Sequence, residues 1–281
     1  MAEETPQQKH EQEQQTEDEA HERSSPSGEV VYEAIMKEAE DELERSSSAL
    51  FWSGLAAGLA MGFSLLAEAV LRAHLPDKPW RPLVVKLGYS IGFLIVILGR
   101  QQLFTENTLT PVLPLLRNKD GKTLGNMLRL WGVVLGANLL GALAIAWVLS
   151  RTSVAEHDVR NAMRDIGQEA MKHGFGVTLL KGVFAGWLIA LIVWLLPFAE
   201  TGRVWVIIII TYLVGAAQLS HIVAGAVDVF GLTWTGARPW GEVVGRYLVP
   251  TLIGNIIGGV TIVAALNHAQ VVAGAGSGEE A

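Results

Sequence analysis

The chain has 281 residues, half of them apolar, with 30 glycines, nine tryptophans and no cysteine. That mixture belongs to membrane-embedded chains, and the missing cysteine excludes disulfides, thiolate metal sites and cysteine nucleophiles. The formal charge of -7 sits largely in the first segment, so no basic surface points to nucleic acid.

Residues 1–28 are rich in Glu, Gln and Ser and read as a disordered acidic tail, because so few large apolar groups cannot offset the entropy of ordering. A basic start followed by an apolar stretch is absent, so this is no signal peptide. Residues 29–48 place Val30, Val31, Ile35, Met36 and Leu43 at helical spacing among charges. They predict an amphipathic helix at the membrane surface or against the inner mouth of the domain that follows.

Residues 49–268 read as a transmembrane domain. The apolar runs 49–70, 130–149, 182–199 and 247–266 are each near the roughly 20 residues that cross about 30 Å of hydrocarbon. Two others, 87–99 and 204–219, are shorter, and each ends in a polar break followed by a further apolar piece. These are read as discontinuous helices, the second and fifth of six spans. An even number puts both termini on one side, and basic residues divide too evenly between the loops to choose that side. Residues 269–281 read as a flexible C-terminal tail.

The first break is "QQLFTENTLTPVLPLL", residues 101–116. It has a counterpart: "QLFTEN" begins at Gln102 and "QLSHIVAG" at Gln218, an offset of 116. In the third span "LGANLLGAL" holds Asn138 three before Gly141, and in the sixth "LIGNIIGGV" holds Asn255 three before Gly258, an offset of 117. The first and fourth spans carry Gly54 with Gly58 and Gly182 with Gly186, small-xxx-small patterns that let helix backbones approach. With three spans per half the second copy is inverted, an architecture whose pathway runs where the breaks meet. Non-helical backbone at membrane depth survives only when buried in protein or lining water, which gives Glu106, Asn107 and the threonines a reason to be there. Asn138 and Asn255 are expected to hydrogen-bond between helices.

Four segments resemble the motifs of the formate/nitrite transporter family. "GRQQLFTEN" resembles the second-span motif, "GVFAGWLIALIVW" the fourth-span motif, "QLSHIVAG" the fifth-span motif and "VPTLIGNIIGG" the sixth-span motif, and the resemblance extends over about residues 30–268. The resemblance implies an all-α, aquaporin-like protomer of six spans in a bacterial inner membrane, with both termini cytoplasmic. It also implies a homopentamer whose protomers each pass small monovalent anions or their acids without a cofactor. It puts His221 on the central pore histidine and Thr105, preceded by Leu103 and Phe104, on the loop that faces it. It matches Phe93 and Tyr89 to the positions that narrow the inner side of the pore, and Lys172 or, failing it, Lys181 to a vestibule lysine.

The physics agrees with such a pore. A bare carboxylate in an apolar constriction meets a large desolvation penalty and the neutral acid a small one, so a dry slit selects the acid. The other histidines, His10, His21, His74, His157, His173 and His268, fall in tails, loops or span ends. Asp228, seven after His221, is either a proton relay or a helix-end carboxylate.

Three departures from the family pattern stand out. Gly225 and Gly186 replace two customary asparagines, which reads as the loss of a polar pair serving the pore. Gln102 replaces an acid, while Glu106 stands where glycine is usual and would oppose anions unless buried or paired, for example with Arg100. The combination resembles the YfdC branch of the family. Two other functions compete: a channel for small neutral solutes, and a non-conducting scaffold or sensor. Enzymatic signatures of the HExxH and GxSxG kinds are absent.

Overall fold

The computed structural model describes residues 28–266 and 269–270. Residues 1–27, expected to form most of the acidic tail, lie outside them, as do residues 271–281 of the expected C-terminal tail. The described residues are helical with no strand.

Helix α1 (Gly28–Glu44) buries Tyr32, Ile35, Met36, Ala39 and Leu43, a single apolar stripe at i, i+3, i+4, i+7 and i+11. Ser46 caps the next helix, accepting from the Ala49 N–H at 3.2 Å. Five helices are long and apolar enough to cross a membrane: α2 (Ser47–His74), α3 (Arg81–Leu98), α5 (Gly121–Arg151), α7 (Phe175–Phe198) and α10 (Trp240–Thr261). Shorter helices complete the array: α4 (Val112–Asn118), α6 (His157–Ala170), α8 (Arg203–Ala216) and α9 (Ile222–Trp234). Their outer faces stay apolar, with Trp52 and Trp205 each 65% exposed, as lipid or a second subunit requires.

Helix α6 lies between the third and fourth expected spans, a stretch for which the sequence reading gives no helix. Val159, Ala162, Met163 and Ile166 form its buried face, and Arg72 of α2 ties it down through Glu169 at 2.8 Å and Asp165 at 3.7 Å. It lies at the opposite end of the molecule from α1.

The core is built on two close crossings. A Cβ at Gly58 of α2 would lie 2.2 Å from the Asn138 carbonyl oxygen of α5, and one at Gly186 of α7 would lie 2.3 Å from the Asn255 carbonyl oxygen of α10. Gly141 and Gly258 are equally tight from the other side, at 2.6 Å from Leu55 O and 2.1 Å from Val183 O. Gly186 thus sits in a backbone contact between helices that leaves no room for a side chain.

Candidate functional site

Helices α3 and α8 end in the same way. Gln101 N–H donates to Val96 O and Leu219 N–H to Val214 O, both at 2.9 Å, the six-to-one bond of a Schellman turn. The left-handed residue inside each turn is Arg100 (φ 49°) or Gln218 (φ 51°). Each costs about 1 kcal/mol as a non-glycine, so the surroundings must hold them.

The two asparagines do the holding. Asn138 Nδ2 donates to Gly54 O at 2.7 Å and Gln102 O at 2.9 Å, while its Oδ1 accepts from Phe104 N–H at 2.9 Å. Asn255 Nδ2 donates to Gly182 O at 2.8 Å and Ser220 O at 2.9 Å, and its Oδ1 accepts from Ile222 N–H at 2.8 Å. Both are fully buried. Two backbone groups of each break are thereby satisfied, and the third bond ties the asparagine to the neighbouring helix, which is what non-helical backbone at this depth demands. These bonds set the correspondence between the breaks at 118 residues, pairing Gln102 with Ser220 and Leu103 with His221. The offset of 116 read from the shared Gln-Leu is therefore out of step by two.

His221 caps α9. Its Nδ1 accepts from the N–H groups of Val223 and Ala224, both at 3.2 Å. With Nδ1 an acceptor, the neutral ring carries its proton on Nε2, which lies 2.8 Å from Thr105 Oγ1. The histidine therefore donates to the threonine, and the threonine hydroxyl keeps its own proton to offer elsewhere. Phe93 meets the imidazole edge-on, with centroids 5.0 Å apart, and Tyr89 packs on Phe93 at 5.3 Å. Thr105, His221 and Phe93 are fully buried. Leu103 and Phe104 are buried beside them, with Phe104 edge-on to Trp131 at 5.7 Å.

A cavity lies on either side of this plug. The one at the α1 end, about 530 Å³, is lined by Glu38, Glu42, Arg100, Gln102, Glu106 and Arg203 among others. The one at the α6 end is about 50 Å³ and is lined by Lys86, Tyr89, Lys181, Ser220, Asp228 and Tyr247 among others. A space that small holds a few waters or one small solute.

Tyr89 accordingly stands at the α6 end, not on the α1 side where it was expected. It fits there because α3 tightens into a 3₁₀ turn over Lys86–Tyr89 and because Gly215 leaves room: a Cβ at Gly215 would lie 2.9 Å from the Tyr89 ring. Lys181 lines the α6-end cavity and donates to Gln218 O at 3.0 Å, whereas Lys172 is exposed and does not line it. Lys86 of the same wall pairs with the buried Glu68 at 2.5 Å.

Glu106 faces the α1-end cavity. Of the two alternatives, burial or a partner such as Arg100, the structure shows burial: Glu106 Oε1 is buried and has no hydrogen-bond partner. Asn107 is turned inward, donating to Gln102 Oε1 at 2.8 Å, while its carbonyl accepts from Trp131 Nε1 at 2.7 Å. Gln102 Nε2 in turn donates to Glu42 of α1 at 2.8 Å, and Thr110 Oγ1 donates to the same carboxylate at 3.1 Å. Helix α1 is thus hydrogen-bonded to the first break. Burial raises the Glu42 carboxyl above its ordinary range, a shift the bonds from Gln102 and Thr110 reduce.

Tyr247 was missed by sequence reasoning. A Cβ at Gly225 would lie 1.8 Å from its hydroxyl, so the phenol occupies the space one turn beyond His221. Nothing in "GRYLVP" announces this, since the side chain is aimed by a wide π turn over Val244–Leu248.

Comparison with known proteins bears on this arrangement. A family model described as formate/nitrite transporter matches residues 29–269. The Escherichia coli (strain K12) inner membrane protein YfdC is 41% identical over 242 residues, covering 86% of this chain and 78% of its own. The formate channel BtFdhC of Bacillus thuringiensis is 25% identical over 244 residues, covering 84% of this chain and 92% of its own. Among solved structures, a pentameric formate channel with formate bound superimposes with a TM-score of 0.69 at 22% identity, over 80% of this chain and 98% of that one. An FNT family ion channel superimposes with a TM-score of 0.72 at 20% identity, over 84% and 96%.

Proposed function

The chain belongs to the formate/nitrite transporter family, and on that premise we propose that it passes a small monocarboxylate or similar anion, or its conjugate acid, through each protomer. The observation that carries the reading is the Thr105–His221 pair, two residues from opposite breaks bonded at 2.8 Å between two cavities. In this reading the protomer has six spans in two inverted halves, α8 and α9 together making the fifth. It assembles as a homopentamer in the cell inner membrane, with α1 on the cytoplasmic side. The name of the superimposed pentameric channel and that of YfdC support assembly and location.

Selection follows from desolvation. Several kcal/mol oppose a bare anion between Phe93, Leu103 and His221, and far less opposes the neutral acid. The Thr105 hydroxyl, already receiving the Nε2 proton, offers its own to the solute. His221 fixes that polarity because its other nitrogen is committed to the α9 backbone.

Uptake of labelled formate into proteoliposomes, under pH steps of both signs, tests the proposal against His221→Asn. Asparagine still caps a helix but cannot reproduce the imidazole donor. Wild-type flux that follows the proton gradient, and falls about tenfold or more in the variant for loss of a buried hydrogen bond, is the expected result. No formate flux under any gradient rejects it. A channel for neutral solutes is the second reading, favoured by the unpartnered Glu106 oxygen at the α1-end cavity, and uptake of urea or glycerol in the same vesicles would reveal it.

A further inference from the structure

Pro250 has no N–H to give the Arg246 carbonyl. The turn ahead of it widens, with Val249 N–H bonding to Val244 O, five residues back. Such π turns inside an α-helix re-aim a side chain and gather at functional sites. Here the re-aimed residue is Tyr247, which is 3% exposed. Its phenol lies against the His221 backbone and the side chains of Ser220 and Thr251. Gly225 N–H bonds to His221 O at 3.0 Å, so α9 is regular at this point, and it is the missing side chain of Gly225 that gives the phenol its place. Gly225, Tyr247 and Tyr89 all line the α6-end cavity.

We propose that Tyr247 is a specificity-determining residue on the α6 side of the Thr105–His221 pair: its hydroxyl, set one turn from His221 at Gly225, is a polar group a solute meets there, and its ring, lining the same cavity as Tyr89, limits passage to acids of formate or nitrite size. The inference rests on the transport reading above. The polar side chains of the small cavity line its wall, whereas Phe93 presents only a ring to the imidazole beyond. The Tyr247 hydroxyl supplies a donor and an acceptor at that point, and a rigid ring placed there discriminates by size more sharply than a flexible chain does. Gly225 and Tyr247 are one device, since neither is useful without the other.

The test is flux of formate, nitrite, acetate and lactate into proteoliposomes for wild type, Tyr247→Phe, Tyr247→Ala, Gly225→Ala and the double variant Gly225→Ala/Tyr247→Ala, each first shown to elute as wild type from a sizing column. Tyr247→Phe keeps the ring and loses the hydroxyl, so formate flux should fall about two- to tenfold, the worth of one hydrogen bond, with the acetate-to-formate ratio unchanged. Tyr247→Ala opens the passage, so that ratio should rise about tenfold, the discrimination one methyl group supports in a fitted site. Gly225→Ala should impair flux by displacing the phenol, and the double variant should regain it. If wild type carries formate while Tyr247→Phe and Tyr247→Ala both keep its flux and its ratio, Tyr247 is packing and the inference is wrong. If wild type carries none of the four solutes, the transport reading fails and takes this inference with it.

Discussion

The two breaks are held by the same hydrogen bonds and present different chemistry. At each, an asparagine from the neighbouring crossing bonds three backbone groups, and a Schellman turn ends the helix before it. At the equivalent place, however, one break carries Leu103 and the other His221. The first break continues into a 3₁₀ turn over Glu106–Thr108 and the seven-residue α4, whereas the second continues directly into the thirteen-residue α9. The scaffold is therefore shared and the tip is not. A duplicated frame holds both loops at depth, and the asymmetry of what it holds sets a histidine donor on one loop against a threonine acceptor on the other.

Removing the frame tests the shared part and should have the largest effect. Asn138→Ala and Asn255→Ala each leave two buried backbone groups of a break unpaired, at about 1–3 kcal/mol per group. Both variants should lose several degrees of thermal stability in detergent, to a similar extent. A large loss in one and none in the other would break the equivalence. Gly58→Ala and Gly186→Ala come next, since each sets a methyl against a carbonyl oxygen and overpacking costs about 1–3 kcal/mol. Equal shifts in melting temperature are expected.

The unshared part is probed by Thr105. Thr105→Val leaves the His221 Nε2–H without an acceptor and should lower formate flux about tenfold, as the loss of one buried hydrogen bond predicts. Thr105→Ser keeps the oxygen and should stay close to wild type. Equal flux in both variants would mean that the hydroxyl serves packing alone.

What the sequence disclosed follows from which features are local. The breaks were readable because polar residues and prolines interrupt apolar runs, and Asn138 and Asn255 because a buried asparagine next to glycines has few other uses. His221 stood out as a lone imidazole in an apolar span. The roles of Gly186 and Gly225 were not readable, because a glycine's meaning depends on what approaches it: a backbone oxygen in one case, the Tyr247 phenol in the other. The family resemblance matched Tyr89 to the inner side without a motif at that point, and its depth follows instead from the 3₁₀ turn and from Gly215. Helix α6 was passed over although Val159, Ala162, Met163 and Ile166 have helical spacing, since its charges resemble those of a loop.

The smallest expected effect concerns a contact that only the first break makes, the bond from Gln102 to Glu42 of α1. Burial raises the Glu42 carboxyl when α1 is docked, and undocking returns it to its ordinary range. The docked state therefore binds the proton more tightly than the undocked one. Its contribution to docking is complete below the ordinary carboxyl range and is lost as pH rises through the raised value. Hydrogen exchange of residues 28–44 should accordingly be slowest in acid and quicken toward neutrality, once corrected for the intrinsic rate. Glu42→Gln, which keeps a side chain able to bond Gln102 but cannot ionise, should remove that dependence while leaving exchange at the second break unchanged. If the variant and wild type quicken in parallel, the pH response does not come from Glu42, and Glu42 is only an anchor.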